Sequence, residues 1–244
     1  MLAIATAPPT SSRTANLLAA SRMFAGLDRD TLGHLARLAT LRKLAAGERL
    51  WSAGERATHF TLISSGLFKI VRATPDGTAV IIALFGPHES IGDVAVLRGM
   101  SYPAAAIVLS ASAEVLRVPA EPVITAMNAR PGFACSMNRA LIDHTQALQE
   151  KIRVMSAGAV PKRLATLLLG LAERFGDEGD DGAVEIPVAL SRADLACFIG
   201  ARVETTIRTI RAWERAGAVE TTDSGFRLLQ PEVLVRTTTS SDEA

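Results

Sequence analysis

Between residues 44 and 118 apolar and polar residues alternate in short runs, broken by Gly47, Gly54, Gly66, Gly77, Gly86, Gly92 and Gly99. Alternation sends successive side chains to opposite faces of a strand, and turns at this spacing predict an antiparallel sandwich or barrel. The clearest strands are 60–63, 67–71 and 80–85. Between the last two, Thr74-Pro75-Asp76-Gly77 reads as a hairpin turn whose glycine supplies positive φ. Ahead of this module Leu32, Leu35, Leu38 and Leu41 share one face of a short amphipathic helix.

After Pro119 the period becomes helical. Phe133, Met137, Leu141, His144, Leu148, Ile152 and Met155 step by three or four along one long helix, while Asp143, Gln149, Glu150 and Arg153 take other positions. Such a stripe is covered either by the chain's own sandwich or by its twin in a parallel dimer, and the dimer is the favoured reading. Gly158 and Pro161 then interrupt the pattern as a hinge, and residues 162–175 resume it as a second helix ending near Gly176. The segment Asp177-Glu178-Gly179-Asp180-Asp181-Gly182 reads as a solvated acidic turn without regular structure, although an exposed acidic loop also suits a protein partner.

Residues 184–188 predict a short strand, and Ser191-Arg192-Ala193-Asp194 has the spacing of a capping box that opens a helix. Gly200 breaks this helix, and another runs from about Arg202 to Gly217. Two helices meeting at a tight glycine turn predict a helix-turn-helix. In the second, Thr206, Ile210, Trp213 and Gly217 follow a 4, 3, 4 spacing and face inward, whereas Val203, Glu204, Ile207, Arg208 and Arg211 share the outer side. That outer set suits the major groove: Val203 or Ile207 against a thymine methyl, Glu204 accepting from a cytosine amino group, Arg208 paired with guanine O6 and N7. Arg192, Arg202 and Arg211 are placed for phosphate, Arg192 also for a base. Downstream, 218–221 and 226–229 flank the turn Thr222-Asp223-Ser224-Gly225, a hairpin in the position of a wing.

Charge adds little to this picture. The chain carries 26 Lys or Arg and 25 Asp or Glu over 244 residues, and from 158 to 236 there are ten basic against twelve acidic residues. The DNA reading therefore rests on geometry. No run reaches the roughly 20 apolar residues of a membrane helix, and no signal sequence is recognisable, so a cytoplasmic protein without membrane contact is expected. The only two cysteines, Cys135 and Cys197, lie far apart and give no metal motif. Neither a phosphate-binding glycine loop nor a catalytic motif occurs, which argues against an enzyme.

Taken in order, these elements resemble the CRP/FNR family of bacterial transcription regulators over residues 24–234. The resemblance is carried by Gly47-Glu48-Arg49-Leu50 with Gly54-Glu55, by Ile63-Ser64-Ser65-Gly66, by the stretch from Gly86 to Gly92-Asp93, and by Val203-Glu204-Thr205-Thr206 with Arg208. It implies an α+β chain: an antiparallel, jelly-roll-like β-roll of the cyclic-nucleotide-binding type, a dimerisation helix and a C-terminal winged helix-turn-helix. The expected layout is a flexible arm over 1–20, the β-roll sensor over 21–118, the dimerisation helix over 119–157, the winged helix over 158–236 and a flexible tail over 237–244. A homodimer reading a palindrome and contact with RNA polymerase through 177–182 are implied as well. Val203 and Glu204 are similar to the FNR-like branch, while Ile207 departs from both branches, where serine or glycine is usual.

In cyclic-AMP-binding relatives a glycine and a glutamate hold the ribose, and an arginine and a serine hold the cyclic phosphate. Gly92 and Asp93 here are a shortened version of the first pair, but Pro103 and Ala104 stand where the second pair would be. Leu148 and Gln149 replace the threonine and serine that meet the adenine. An anion buried without its charge-assisted donors is costly, which argues against cyclic AMP. An iron-sulfur cluster needs four thiolates and is excluded by two cysteines. A haem-based nitric oxide or carbon monoxide sensor, with His34, His59, His88 or His144 as ligand, stays open. So do control without any small ligand and a sensor module that acts on a protein partner without DNA.

Overall fold

The computed structural model describes residues 10–75, 77–179 and 181–239. In chain order the elements are α1 (Thr10–Ala20), α2 (Arg29–Leu38), β1 (Thr40–Ala45), β2 (Arg49–Trp51), β3 (His59–Ser65), β4 (Phe68–Ala73), β5 (Ala79–Phe85), β6 (Ser90–Ile91), α3 (Asp93–Leu97), β7 (Ala105–Val108), β8 (Ser112–Pro119), α4 (Ala120–Ala129), α5 (Pro131–Ser156), α6 (Val160–Phe175), β9 (Asp177–Glu178), β10 (Val184–Ile186), α7 (Arg192–Ile199), α8 (Val203–Arg215), β11 (Val219–Thr222), β12 (Gly225–Leu228) and α9 (Pro231–Thr239). They form two compact units, Met1–Phe68 with Phe85–Thr145, and Lys69–Leu84 with Gln146–Ala244. The β-roll strands lie in two sheets, ordered β1-β8-β3-β6 and β2-β7-β4-β5, with residues 69–84 of the outer hairpin belonging to the second unit.

In the first unit the register from Thr40↔Arg117 to Ala45↔Ser112 and from His59↔Pro119 to Ser65↔Glu114 makes β8 the centre of its sheet. One face of the β3–β8 pair is apolar: Phe60, Leu62, Leu116 and Val118 are all buried. Gly66 turns the chain out of β3 at φ +83, and a Cβ there would come within 2.5 Å of the Ser112 carbonyl oxygen, so the turn needs glycine. Asp28 caps α2 by accepting from the Thr31 amide at 2.8 Å, and that bond holds its carboxyl at about 2.

The segment expected as a loose arm up to residue 20 is helical from Thr10. Its inner face buries Thr14 and Leu18, the Thr14 hydroxyl donates to the Ala36 carbonyl at 3.1 Å, and Arg13 is paired with the largely buried Glu114. Residues 1–9 lie outside the described residues. On α5, Phe133 and Met137 are buried, Phe133 stacking on Phe24 with centroids 6.0 Å apart.

In the second unit α6 is the core helix, burying Leu164, Leu167, Leu168 and Leu171, with Leu234 of α9 also fully buried. Pro161 sits in the first turn of α6, where no amide bond is lost, so it opens this helix rather than breaking one. A Cβ on Gly170 would meet Glu150 Oε1 at 2.3 Å, so glycine lets α5 and α6 approach closely. The acidic segment is not wholly irregular, because Glu178 and Asp177 pair with Val184 and Glu185 and extend the wing sheet to the order β11-β12-β10-β9. No helix among the described residues is long and apolar enough to cross a membrane.

Candidate nucleic-acid interface

The chain enters α7 through the capping box expected from its sequence. The Ser191 hydroxyl accepts from the Asp194 amide at 3.0 Å, and Asp194 Oδ2 accepts from the Ser191 amide at 3.3 Å. Helix α7 ends at Gly200, in the left-handed conformation at φ +62, where a Cβ would meet the end of the Met155 side chain at 3.0 Å. Its last carbonyls are met by two cations. Arg163 donates to Ile199 O at 2.7 Å and Gly200 O at 3.3 Å, and Lys151 donates to Phe198 O while lying 4.4 Å from the Phe198 ring centroid. Burial of Lys151 works against its charged form and pulls its pKa down to about 8.

Helix α8 separates its two faces clearly. Thr206, Ile210 and Trp213 are buried, whereas Val203, Glu204, Arg208 and Arg211 are exposed and Ile207 is half-buried. Glu204, Ile207, Arg208, Arg211, Glu214 and Arg215 line an open cleft of about 840 Å³. No side-chain hydrogen bond caps the start of α8, so its first amides point outward with the positive end of the helix dipole. Among the described residues, the guanidinium groups of Arg202, Arg208 and Arg211 have no ion-pair partner.

Two other arginines are engaged. Arg192 donates to Glu214 Oε1 at 3.1 Å and to Thr221 Oγ1 at 2.7 Å, with its guanidinium 5.6 Å from the Phe226 ring centroid. On the wing, Arg227 is surrounded by Asp181, Glu185 at 2.9 Å and Glu220 at 3.8 Å. The roles of Lys151, Arg163, Glu214 and Thr221 have no sequence signal, because each depends on pairing between distant segments.

In the β-roll, Gly92 adopts φ +81 and a Cβ there would lie 2.7 Å from Tyr102 Cε1 and 3.1 Å from the Trp51 ring. The two rings stack with centroids 4.1 Å apart, and Trp51 Nε1 donates to the Ala104 carbonyl at 3.0 Å. Asp93 is fully buried and accepts from the Ser90 hydroxyl, Ala104 is buried, and Pro103 is exposed. Burial pushes the Tyr102 hydroxyl pKa up. Of the proposed dimer stripe, Phe133 and Met137 are core residues, Leu141 is half-buried, and Leu148, Ile152 and Met155 are 50%, 64% and 43% exposed. The His144 side chain lies outside the described residues.

Two family models match the chain, a cyclic nucleotide-binding domain over residues 41–130 and a Crp-like helix-turn-helix domain over 162–237. The chain belongs to the CRP/FNR family of transcription regulators. This CRP/FNR regulator is 25% identical to the nitrogen fixation regulation protein FixK of Azorhizobium caulinodans over 202 residues, which is 83% of this chain and 80% of that protein. It is 22% identical to a CRP-like cAMP-activated global transcriptional regulator of Mycobacterium tuberculosis over 220 residues, 90% and 97% of the two chains. Its fold matches the solved structure of FixK2 from Bradyrhizobium japonicum with a TM-score of 0.70 at 18% identity, covering 83% of this chain and 98% of that one.

Proposed function

We propose that this regulator binds a palindromic site in double-stranded DNA as a homodimer, reading each half-site through the outer face of α8. The observation that carries this reading is the sidedness of that helix, with Thr206, Ile210 and Trp213 buried opposite an exposed set of Val203, Glu204, Arg208 and Arg211. Unpaired guanidinium groups at Arg202 and Arg211 suit phosphate, and Arg208 suits guanine, with Ile207 and Val203 as apolar partners for thymine. The exposed Leu148, Ile152 and Met155 support α5 as the dimer contact. A cytoplasmic location and RNA polymerase as a protein partner belong to this reading, with the acidic segment around Glu178 and Asp181 as the proposed contact.

Cyclic AMP is not the signal in this reading, although the mycobacterial relative is named for it. The Trp51–Tyr102 stack occupies the space over Gly92, and Pro103 and Ala104 offer no charged donor to a phosphate. Haem gains no support from the three histidines whose side chains are described either. His59 is engaged by Thr58 at 2.8 Å and Arg117 at 3.3 Å, His88 is exposed, and His34 lines an open cleft that also holds the charged Asp30, Glu121 and Arg130.

The deciding experiment compares wild type and Arg208→Ala on a duplex selected by the wild-type chain from a random-core pool and on a scrambled duplex. Base readout predicts a loss of about 1–3 kcal/mol on the selected duplex with little change on the scrambled one. Equal weakening on both contradicts it.

A further inference from the structure

We propose that Arg192 is a positioning residue that fixes the wing against the recognition helix, and that it does not itself contact DNA. Its sequence position, first in α7, suggests a phosphate contact, but one terminal nitrogen is used internally and the guanidinium lies over an aromatic ring. One terminal nitrogen spans Glu214 Oε1 and Thr221 Oγ1, at 3.1 and 2.7 Å, and Thr221 donates to the same Glu214 oxygen at 2.5 Å. The closed triangle joins the start of α7, the last turn of α8 and the first wing strand, β11. Beneath it the guanidinium lies 5.6 Å from the centroid of Phe226 on β12, a ring that is 1% exposed. Arg192 and Glu214 side chains are only 26% and 31% exposed, so neither is freely solvated.

The triangle has an electrostatic consequence. Glu214 lines the cleft with Arg208, Arg211 and Arg215, where an uncompensated carboxylate would repel a phosphate backbone. Arg192 neutralises it from behind while holding β11 in register with α8. Lysine cannot reproduce this, because a single ammonium on a flexible stem lacks the planar face for Phe226 and the fixed geometry that spans both acceptors.

The inference rests on DNA binding through α8, and absence of wild-type binding to any duplex would defeat that reading rather than this one. The test measures affinity of the full chain for the selected palindrome across a salt series, for wild type, Arg192→Ala, Arg192→Lys, Glu214→Gln and the Arg192→Ala/Glu214→Gln double variant. Circular dichroism melting confirms that each is folded. A positioning role predicts about tenfold weaker binding for both Arg192 variants, a double variant no weaker than Arg192→Ala alone, and a log-salt slope of that double variant equal to the wild type's, because the ion pair and the two side chains that replace it are both neutral. A direct phosphate contact predicts a salt slope of the double variant smaller by about 1, with Arg192→Lys close to wild type and losses that add. Any of those three results overturns the proposal. If Arg192→Ala does not fold, Arg192→Lys and Glu214→Gln carry the same comparison.

Discussion

The Lys69 ammonium lies 2.5 Å from Asp194 Oδ1, with both side chains 19% exposed, and so ties the β4–β5 hairpin to the capping box of α7. The same hairpin is held at two further points: Cys197 Sγ donates to Ala79 O at 2.8 Å and Arg174 donates to Leu84 O at 3.1 Å. A strand pair of the β-roll is thus part of the compact unit that holds the winged helix.

Asp194 acts twice, as partner of Lys69 and as receiver of the Ser191 amide and hydroxyl, the latter at 2.8 Å. Lys69→Ala removes one part-buried ion pair and is expected to cost about 1–2 kcal/mol. Asp194→Ala removes the pair and the carboxylate's half of the capping box, while the Ser191 hydroxyl keeps its bond from the residue-194 amide, and should cost about 1 kcal/mol more. Urea unfolding of the two variants should therefore rank Asp194→Ala below Lys69→Ala. Equal losses would mean that the carboxylate's half of the capping box contributes nothing.

Lys151 sets a pH dependence. Its folded pKa of about 8 lies below the ordinary lysine value of 10.5 because burial disfavours the ammonium. Between those values the unfolded chain holds the proton and the folded chain does not, so this group's contribution to stability rises with pH from about 8 to 10.5 and is lost as pH falls through 8. Wild type should gain stability relative to Lys151→Met when denaturant unfolding is moved from pH 7.5 to 9.5. A constant difference between the two proteins over that range would refute the shift.

Periodicity made α5, α6, α7, α8 and the wing hairpin legible, because each carries its own apolar face or cap. Helix α1 was not legible: its buried residues are Thr14 and Leu18, and its anchor is the Arg13–Glu114 pair, 101 positions apart. The α5 stripe read as one surface, yet Phe133 and Met137 meet the β-roll core while Leu148 and Ile152 stay open. Spacing reports a helix face and not what covers it. Likewise Arg192 occupies a position suited to DNA, and only the folded return of Glu214 and Thr221 reveals its other partners.

The filled space over Gly92 predicts both a ligand result and a stability result. Cyclic AMP at about 1 mM should leave the thermal midpoint unchanged, since a ligand bound a thousandfold above its Kd would stabilise the fold by about 4 kcal/mol. Gly92→Ala should cost about 2–4 kcal/mol, combining the left-handed backbone with the contact on Tyr102. Gly99→Ala isolates the backbone part, because Gly99 has φ +61 with open space around it, and should cost about 1–2 kcal/mol. Equal losses at the two glycines, or a midpoint raised by the nucleotide, would show that the aromatic pair does not fill the site.

The two parts of the α5 stripe should separate in solution. Ile152 is 64% exposed and Leu148 50%, whereas Ala147 and Val154 beside them are buried, so one side of the helix is packed within the chain and the other is open. If a second copy covers the open side, Ile152→Glu or Leu148→Glu places a carboxylate in a dry interface and should halve the mass seen by light scattering, with little change in the monomer's secondary structure. Phe133→Ala acts elsewhere. It empties a fully buried position against Phe24 and should cost about 3–5 kcal/mol of stability while the folded fraction keeps the wild-type mass. An unchanged mass for both glutamate variants would sink the proposed interface, and a halved mass for folded Phe133→Ala would return that residue to it.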